Sequence, residues 1–140
     1  MADKVKLAYA IALVAHKGQV DKAGMDYILH PLTVSNNCSS EEEKIVALLH
    51  DVLEDTSVTK EDLLKFFSNE IVEAVSLLTH KEEDSYMDYL AKIKANPLAK
   101  AVKLQDLKHN MDLSRLPNPS EKDLSRLENK YKPALEFLLK

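Results

Sequence analysis

Apolar residues recur at three- and four-residue spacing along nearly the whole chain, and the Val/Ile/Thr alternation of half-buried strands is almost absent. The pattern predicts an all-α fold. A first helix is expected from Lys4 to about Lys17, with Leu7, Ala8, Ile11 and Val14 on one face, ended by Gly18. Residues 19–30 read as a loop. Pro31 falls in the first turn of the next helix, where a missing N–H costs nothing, and this puts His30 at the cap. Ser39 or Ser40 caps a helix that opens on Glu41, Glu42 and Glu43, acids suited to the positive end of the dipole. The helix runs through Ile45, Val46, Leu48, Leu49, Val52 and Leu53.

Further along, the starts are written in capping chemistry. Thr59 with Asp62 forms a capping-box pattern for a helix to Phe67, and Ile71 to Leu78 continues it. Ser85 with Asp88 repeats the signal. Asn96-Pro97 is a cap followed by a proline at the first helical position, opening a helix to about Met111. Pro117 and Pro119 mark a loop, Ser120 starts the last helix, and Pro133 kinks it or splits off its end. Phe66, Phe67, Leu77, Leu78 and Phe137 are the expected core faces, any one of them a candidate for contact with a second copy of the chain.

Composition narrows the picture. With 140 residues and 45% hydrophobic content, one domain with its own core is expected over residues 1–140. The 23 acidic against 19 basic residues give no electrostatic footprint for nucleic acid, so an anionic ligand must be drawn by local lysines or a metal. Cys38 is the only cysteine, which rules out an intrachain disulfide and reads as an idle thiol. No long apolar run marks a signal peptide or membrane span, and a cytoplasmic protein is expected.

The chemistry concentrates in two stretches. In LLHDVLEDT, the pairs His50-Asp51 and Glu54-Asp55 interrupt apolar sequence. At about 100° per residue, His50 and Glu54 share one line along an unbroken helix, and Asp51 and Asp55 the next. The flanking Leu48, Leu49, Val52 and Leu53 place part of this stripe against the core. Carboxylates crowded into a partly dry site need a cation or must protonate. A metal held by His50 and Asp51 answers that need and leaves Glu54 and Asp55 for a water molecule. In VKLQDLKHNM, Asp106 and Asn110 lie one turn apart, and the two clusters together offer imidazole and carboxylate ligands from separate helices.

The set AHKGQ, YILHP, LLHDVLEDT and VKLQDLKHNM, in this order and spacing from about Ala8 to Asn110, resembles the HD-domain alarmone hydrolases, the hydrolase half of RelA/SpoT-type enzymes and the small stand-alone hydrolases of that kind. The resemblance implies a single helical HD domain. It also implies a metal, characteristically Mn²⁺, on His30, His50, Asp51 and Asp106; Glu54 and Asp55 orient or deprotonate the attacking water. Asn110 corresponds to an asparagine that contacts the nucleotide sugar, and Lys22 to a nucleotide-holding lysine of the loop before the His-Pro motif. The implied reaction removes pyrophosphate from the ribose 3′ oxygen of a nucleotide such as (p)ppGpp.

The chain departs from that pattern at Asp21-Lys22, where guanine-binding relatives carry Arg-Lys. An aspartate offers none of the stacking of a guanidinium plane. The expected site therefore combines intact phosphate chemistry with an altered base-reading loop. An HD phosphohydrolase of another nucleotide or phosphoester and a nucleotide sensor without catalysis are the alternatives; Glu54 and Asp55 weigh against the sensor. No room is expected for a nucleotidyl-transfer domain. His16 is assigned a structural or supporting role, His109 packing or a helix-end hydrogen bond, and His80 a place facing water.

Overall fold

In a computed structural model describing residues 3–140, ten α-helices follow one another: α1 (Asp3–Ala15), α2 (Leu29–Asn36), α3 (Glu41–Leu49), α4 (Val52–Asp55), α5 (Lys60–Leu64), α6 (Asn69–Leu78), α7 (Tyr86–Lys94), α8 (Pro97–Met111), α9 (Glu121–Arg126) and α10 (Lys132–Leu139). A 3₁₀ turn at Leu113–Arg115 follows α8, and a π-helical stretch at Leu127–Tyr131 joins α9 to α10. Among the described residues the only β pairing is an isolated bridge between Val20 and Asp26, inside the loop after α1. The all-α expectation holds.

Helix starts follow the local chemistry. The Ser40, Ser85 and Asn96 side chains accept the N–H of Glu43, Asp88 and Ala99. Complete capping boxes stand at Thr59/Asp62 and Ser120/Asp123. A further cap, Ser68 accepting from the Ile71 N–H, separates α5 from α6. At Gly18 the backbone adopts φ +87°, a left-handed conformation that ends α1 and that glycine takes at little cost. No described helix is long and apolar enough to cross a membrane.

Helix α3 is the centre of the molecule. Its five residues Ile45 to Leu49 are all buried, so it is enclosed on every side, and α1, α2, α6 and α8 pack against it. Helix α8 lies beside it and also touches α2, α6, α7 and α10. The two stretches rich in site candidates therefore run next to each other through the core.

Four sequence expectations are corrected here. The buried stripe of α1 is Val5, Ala8 and Ala12, and Val14 is 74% exposed. Its apolar residues are too numerous to fix the phase of the helix, and packing on α3 selects the small side chains. Phe66 lies outside the core, whereas Phe67 is buried. The helix through Ile45 to Leu53 is broken at His50-Asp51 into α3 and α4. Helix α2 begins at Leu29 with Ile28 at its cap, so His30 is the second helical residue and not the cap. The chain already turns before the proline: Leu29 N–H donates to Asp26 O and His30 N–H to Tyr27 O, at 3.1 and 3.0 Å.

Candidate metal centre and active site

The break between α3 and α4 creates the site. In an unbroken helix, adjacent side chains point about 100° apart. Here Asp51 takes φ −105°, ψ −3°, and its carboxylate Oδ2 comes to 3.0 Å from His50 Nε2. From α2, His30 Nε2 lies 2.8 Å from Asp106 Oδ1, and His50 Nε2 lies 3.4 Å from the same oxygen. Ligand atoms of His30, His50 and Asp106 all fall within 4.8 Å of one another, as do those of Asp51, Glu54 and Asp55. Asp51 joins the two groups through its contact with His50.

The four side chains are oriented by neighbours. Ala47 O stands 2.5 Å from His50 Nδ1, which must carry a proton to bond it. His30 Nδ1 meets His109 Nδ1 at 2.6 Å. Lys103 Nζ donates to Asp106 Oδ2 at 3.0 Å, and Asn110 Nδ2 donates to Asp106 Oδ1 at 3.3 Å. The Tyr27 hydroxyl donates to Asp51 Oδ2. Burial alone would raise the pKa of Asp51, but the charge of His50 outweighs it and holds the carboxyl at about 2. Burial likewise opposes ionisation of Asp106, and Lys103, His30 and His50 overcome it, keeping that carboxyl well below its usual range. His50 is driven up: its burial disfavours charge, yet Asp51 and Asp106 together prevail.

These shifts state one demand. His50 Nε2 is buried without a hydrogen-bond partner while two carboxylates stand within 3.4 Å. Such a nitrogen is balanced only by positive charge, a proton or a metal ion. Mixed imidazole and carboxylate donors brought from α2, α8 and the α3–α4 junction fit a divalent transition metal. The residues present therefore suit a metal ion.

Beside this cluster opens a cavity of about 500 Å³ lined by Lys22, Glu54, Lys103, Asn110, Arg115 and Tyr131 among others. Glu54 Oε1 accepts the N–H of His80 at 2.9 Å, which leaves its second oxygen free of that bond. Asp55 is exposed and does not line the cavity; burial, with Asp51 beside it, raises its pKa. Lys22, half-exposed, is paired with Asp123 of α9 at 3.1 Å. Asp21 is engaged by its own loop: Oδ1 accepts from Ala23 N and Met25 N at 2.9 and 3.0 Å, and Oδ2 faces Arg115 at 3.8 Å. His16 is buried, its Nδ1 2.9 Å from Gln19 Oε1, and Gln19 in turn donates to Asp55 O at 3.1 Å. His80 is exposed, as expected.

Sequence reasoning missed Lys103, Tyr27, Arg115 and the contact of His109. Lys103 had a signal, since it precedes Asp106 by three residues and so shares its helix face. Tyr27 precedes His30 by three residues in YILHP, but its partner Asp51 lies 24 residues away, beyond any local pattern. Arg115 reaches the cavity only through the 3₁₀ turn after α8. The expectation that His109 packs or bonds at the helix end is corrected: its ring turns to α2 and meets His30, because α2 and α8 pack together.

The fold and this cluster define a class, an all-helical domain with a buried histidine–aspartate centre. A family described as HD domain matches residues 8–113, and the chain belongs to it. It is 30% identical over 143 residues to a GTP pyrophosphokinase of Myxococcus xanthus, covering 89% of this chain and 19% of that protein. It is 34% identical over 149 residues to a guanosine-3′,5′-bis(diphosphate) 3′-pyrophosphohydrolase of Borreliella burgdorferi, covering 94% and 22%. The chain thus spans about a fifth of the length of these curated relatives. Among solved structures, a metazoan ortholog of SpoT that hydrolyzes ppGpp superposes with a TM-score of 0.80 at 22% identity, over 100% of this chain and 87% of the other, and so shares the fold.

Proposed function

We propose that the 140-residue chain is one HD-type phosphohydrolase domain that removes pyrophosphate from the 3′ position of guanosine 3′,5′-bis(diphosphate) or a close relative. The observation that carries this reading is the unpartnered, buried Nε2 of His50 between two carboxylates, at the edge of a cavity lined by lysine and arginine. The Borreliella relative, a guanosine-3′,5′-bis(diphosphate) 3′-pyrophosphohydrolase, supplies the substrate class. His30, His50, Asp51 and Asp106 would hold the metal, with Mn²⁺ the preferred ion. When bound, such an ion supplies a Lewis acid that lowers the pKa of water and polarises a phosphate oxygen.

The chain's own groups do the rest. Glu54, fixed by the His80 N–H, orients the attacking water with its other oxygen. Glu54, which lines the cavity, or Asp55 beside it takes the water proton as general base. The water oxygen bonds to phosphorus, the bond from phosphorus to the ribose 3′ oxygen breaks, and that oxygen leaves with the proton passed on by the same carboxylate. Asn110, already bonded to Asp106, is placed to meet the sugar; Lys22 offsets phosphate charge. The free thiol of Cys38 suits a reducing cytoplasmic setting.

A second reading, hydrolysis of a nucleotide with another base, is favoured by one observation. Asp21 is committed to its loop and to Arg115, so the loop presents a carboxylate where a base would stack. The test is a panel of guanine and adenine alarmones and ordinary nucleotides with Mn²⁺ present, products separated by chromatography. Pyrophosphate release from a 3′ position is expected, lost in Asp51→Ala. Failure of folded, metal-loaded protein to cleave any member would end the hydrolase reading.

A further inference from the structure

The contact between His30 and His109 has the geometry of an in-line hydrogen bond. The two Nδ1 atoms are 2.6 Å apart, the ring planes differ by only 19°, and the centroids are 4.9 Å apart. That centroid distance is the N···N contact plus the two ring radii, so the rings meet edge to edge in nearly one plane. They do not stack face over face. An N–H···N bond needs one ring to donate and the other to accept.

The other end of His30 decides which. Its Nε2 is 2.8 Å from Asp106 Oδ1 and shares the cluster with His50. A nitrogen that holds a metal ion cannot hold a proton, so with the ion on Nε2 the single proton of His30 sits on Nδ1. The neighbour there is His109 Nδ1, which must accept it. His50 is held in the same way by another acceptor, the Ala47 carbonyl. A carbonyl can only accept, whereas a given imidazole nitrogen accepts in just one of the two tautomers. The His30 arm therefore depends on the identity and tautomer of residue 109 in a way the His50 arm does not.

We propose that His109 is a positioning residue of the metal centre: its Nδ1 accepts the Nδ1–H of His30 and holds that ring with Nε2 directed at Asp106 and the ion. This rests on the metal-centre reading above, and the experiment separates the two. The 140-residue chain is titrated with Mn²⁺ by calorimetry, and the Zn²⁺-loaded form, diamagnetic, is studied by histidine-ring ¹⁵N NMR. In wild type, Mn²⁺ binding is expected, together with a scalar coupling between His30 Nδ1 and His109 Nδ1 across the hydrogen bond. His109→Phe should lose that signature and bind Mn²⁺ about 10- to 100-fold more weakly. His109→Asn, whose amide oxygen accepts, should recover much of the affinity. Wild-type affinity in His109→Phe, or a loaded wild type with no coupling between the rings, overturns the positioning role while leaving the metal centre standing. Absence of Mn²⁺ binding in wild type overturns the metal centre, and this role with it. Equal loss in His109→Phe and His109→Asn, with both folded by circular dichroism, also overturns it, because a merely space-filling ring gives no rescue by an acceptor.

Discussion

The Tyr27 hydroxyl illustrates how a single residue outside the ligand set conditions the centre. Burial, reinforced by Asp51, drives its pKa well above the phenol range, so it stays a donor to Asp51 Oδ2 wherever the protein is folded. Tyr27→Phe removes that donor from a carboxylate that is itself 17% exposed. The expected result is a loss of about 1–3 kcal/mol in urea unfolding and a Mn²⁺ affinity lower by about 10- to 100-fold in calorimetry. Unchanged Mn²⁺ affinity would count against any role of the phenol in holding Asp51. Cys38 offers a contrast, since its buried thiol lies outside the cavity and donates to Val34 O. Burial first, then Glu43, raises its pKa from 9.0 to about 11. The folded value lies above the unfolded one, so its contribution to stability is complete below pH 9 and is lost as pH rises towards about 11. Alkylation at pH 8 should be slow in native protein and fast in urea, and equal rates in both would refute this burial. That Cys38 has no cysteine partner needed only the sequence. The partner of Tyr27 was not legible there, because nothing local links residues 27 and 51.

Among the elements, α8 does most of the positioning, since Lys103, Asp106, His109 and Asn110 all project from its middle and last turns. Its first residue is set by Asn96 and Pro97, far from the chemistry. Asn96→Ala should therefore cost about 1 kcal/mol in thermal or urea unfolding and leave kcat near wild type. A fall in kcat out of proportion to stability would show that the start of α8 is coupled to the site. Leu107, fully buried on the same helix, should cost about 2–5 kcal/mol on truncation to alanine. Caps such as Ser40, Thr59, Asn96 and Ser120 were legible in the sequence because each is a bond between a side chain and a backbone N–H three residues on. The α3–α4 break was not, because Leu48, Leu49, Val52 and Leu53 carry an uninterrupted helical pattern across it. The entry of α2 was misplaced for a related reason. Pro31 fits any position of a first turn, and backbone bonds from Asp26 and Tyr27 select the third.

At the scale of the molecule, the loop after α1, the 3₁₀ turn after α8 and helix α9 meet around one cavity, and ion pairs join them. Lys22 is bonded to Asp123 and Arg115 faces Asp21, while within α8 Lys103 is bonded to Asp106. Cations able to attract a phosphate thus stand beside carboxylates already. For Lys103 the pair is nearly enclosed, with side chains 12% and 8% exposed, and a ligand has little means of competing for it. For Lys22 the exposures are 54% and 14%, and water screens the pair. A phosphate entering the cavity competes with Asp123 for Lys22, and also for Arg126, which stands 4.0 Å from the same carboxylate oxygen. Asp123→Asn keeps an amide oxygen for the Ser120 N–H in the capping box while removing the charge that holds both cations. If Lys22 serves the substrate, this variant should lower KM by up to about fivefold, matching the 0.2–1 kcal/mol of an exposed pair, with kcat unchanged. Lys22→Met should raise KM, and its KM should depend less on salt than that of wild type. Steady-state kinetics at low and high ionic strength distinguish these outcomes. A KM in Asp123→Asn equal to wild type, with Lys22→Met also unchanged, would remove Lys22 from the substrate site and leave it as a strut between the loop and α9.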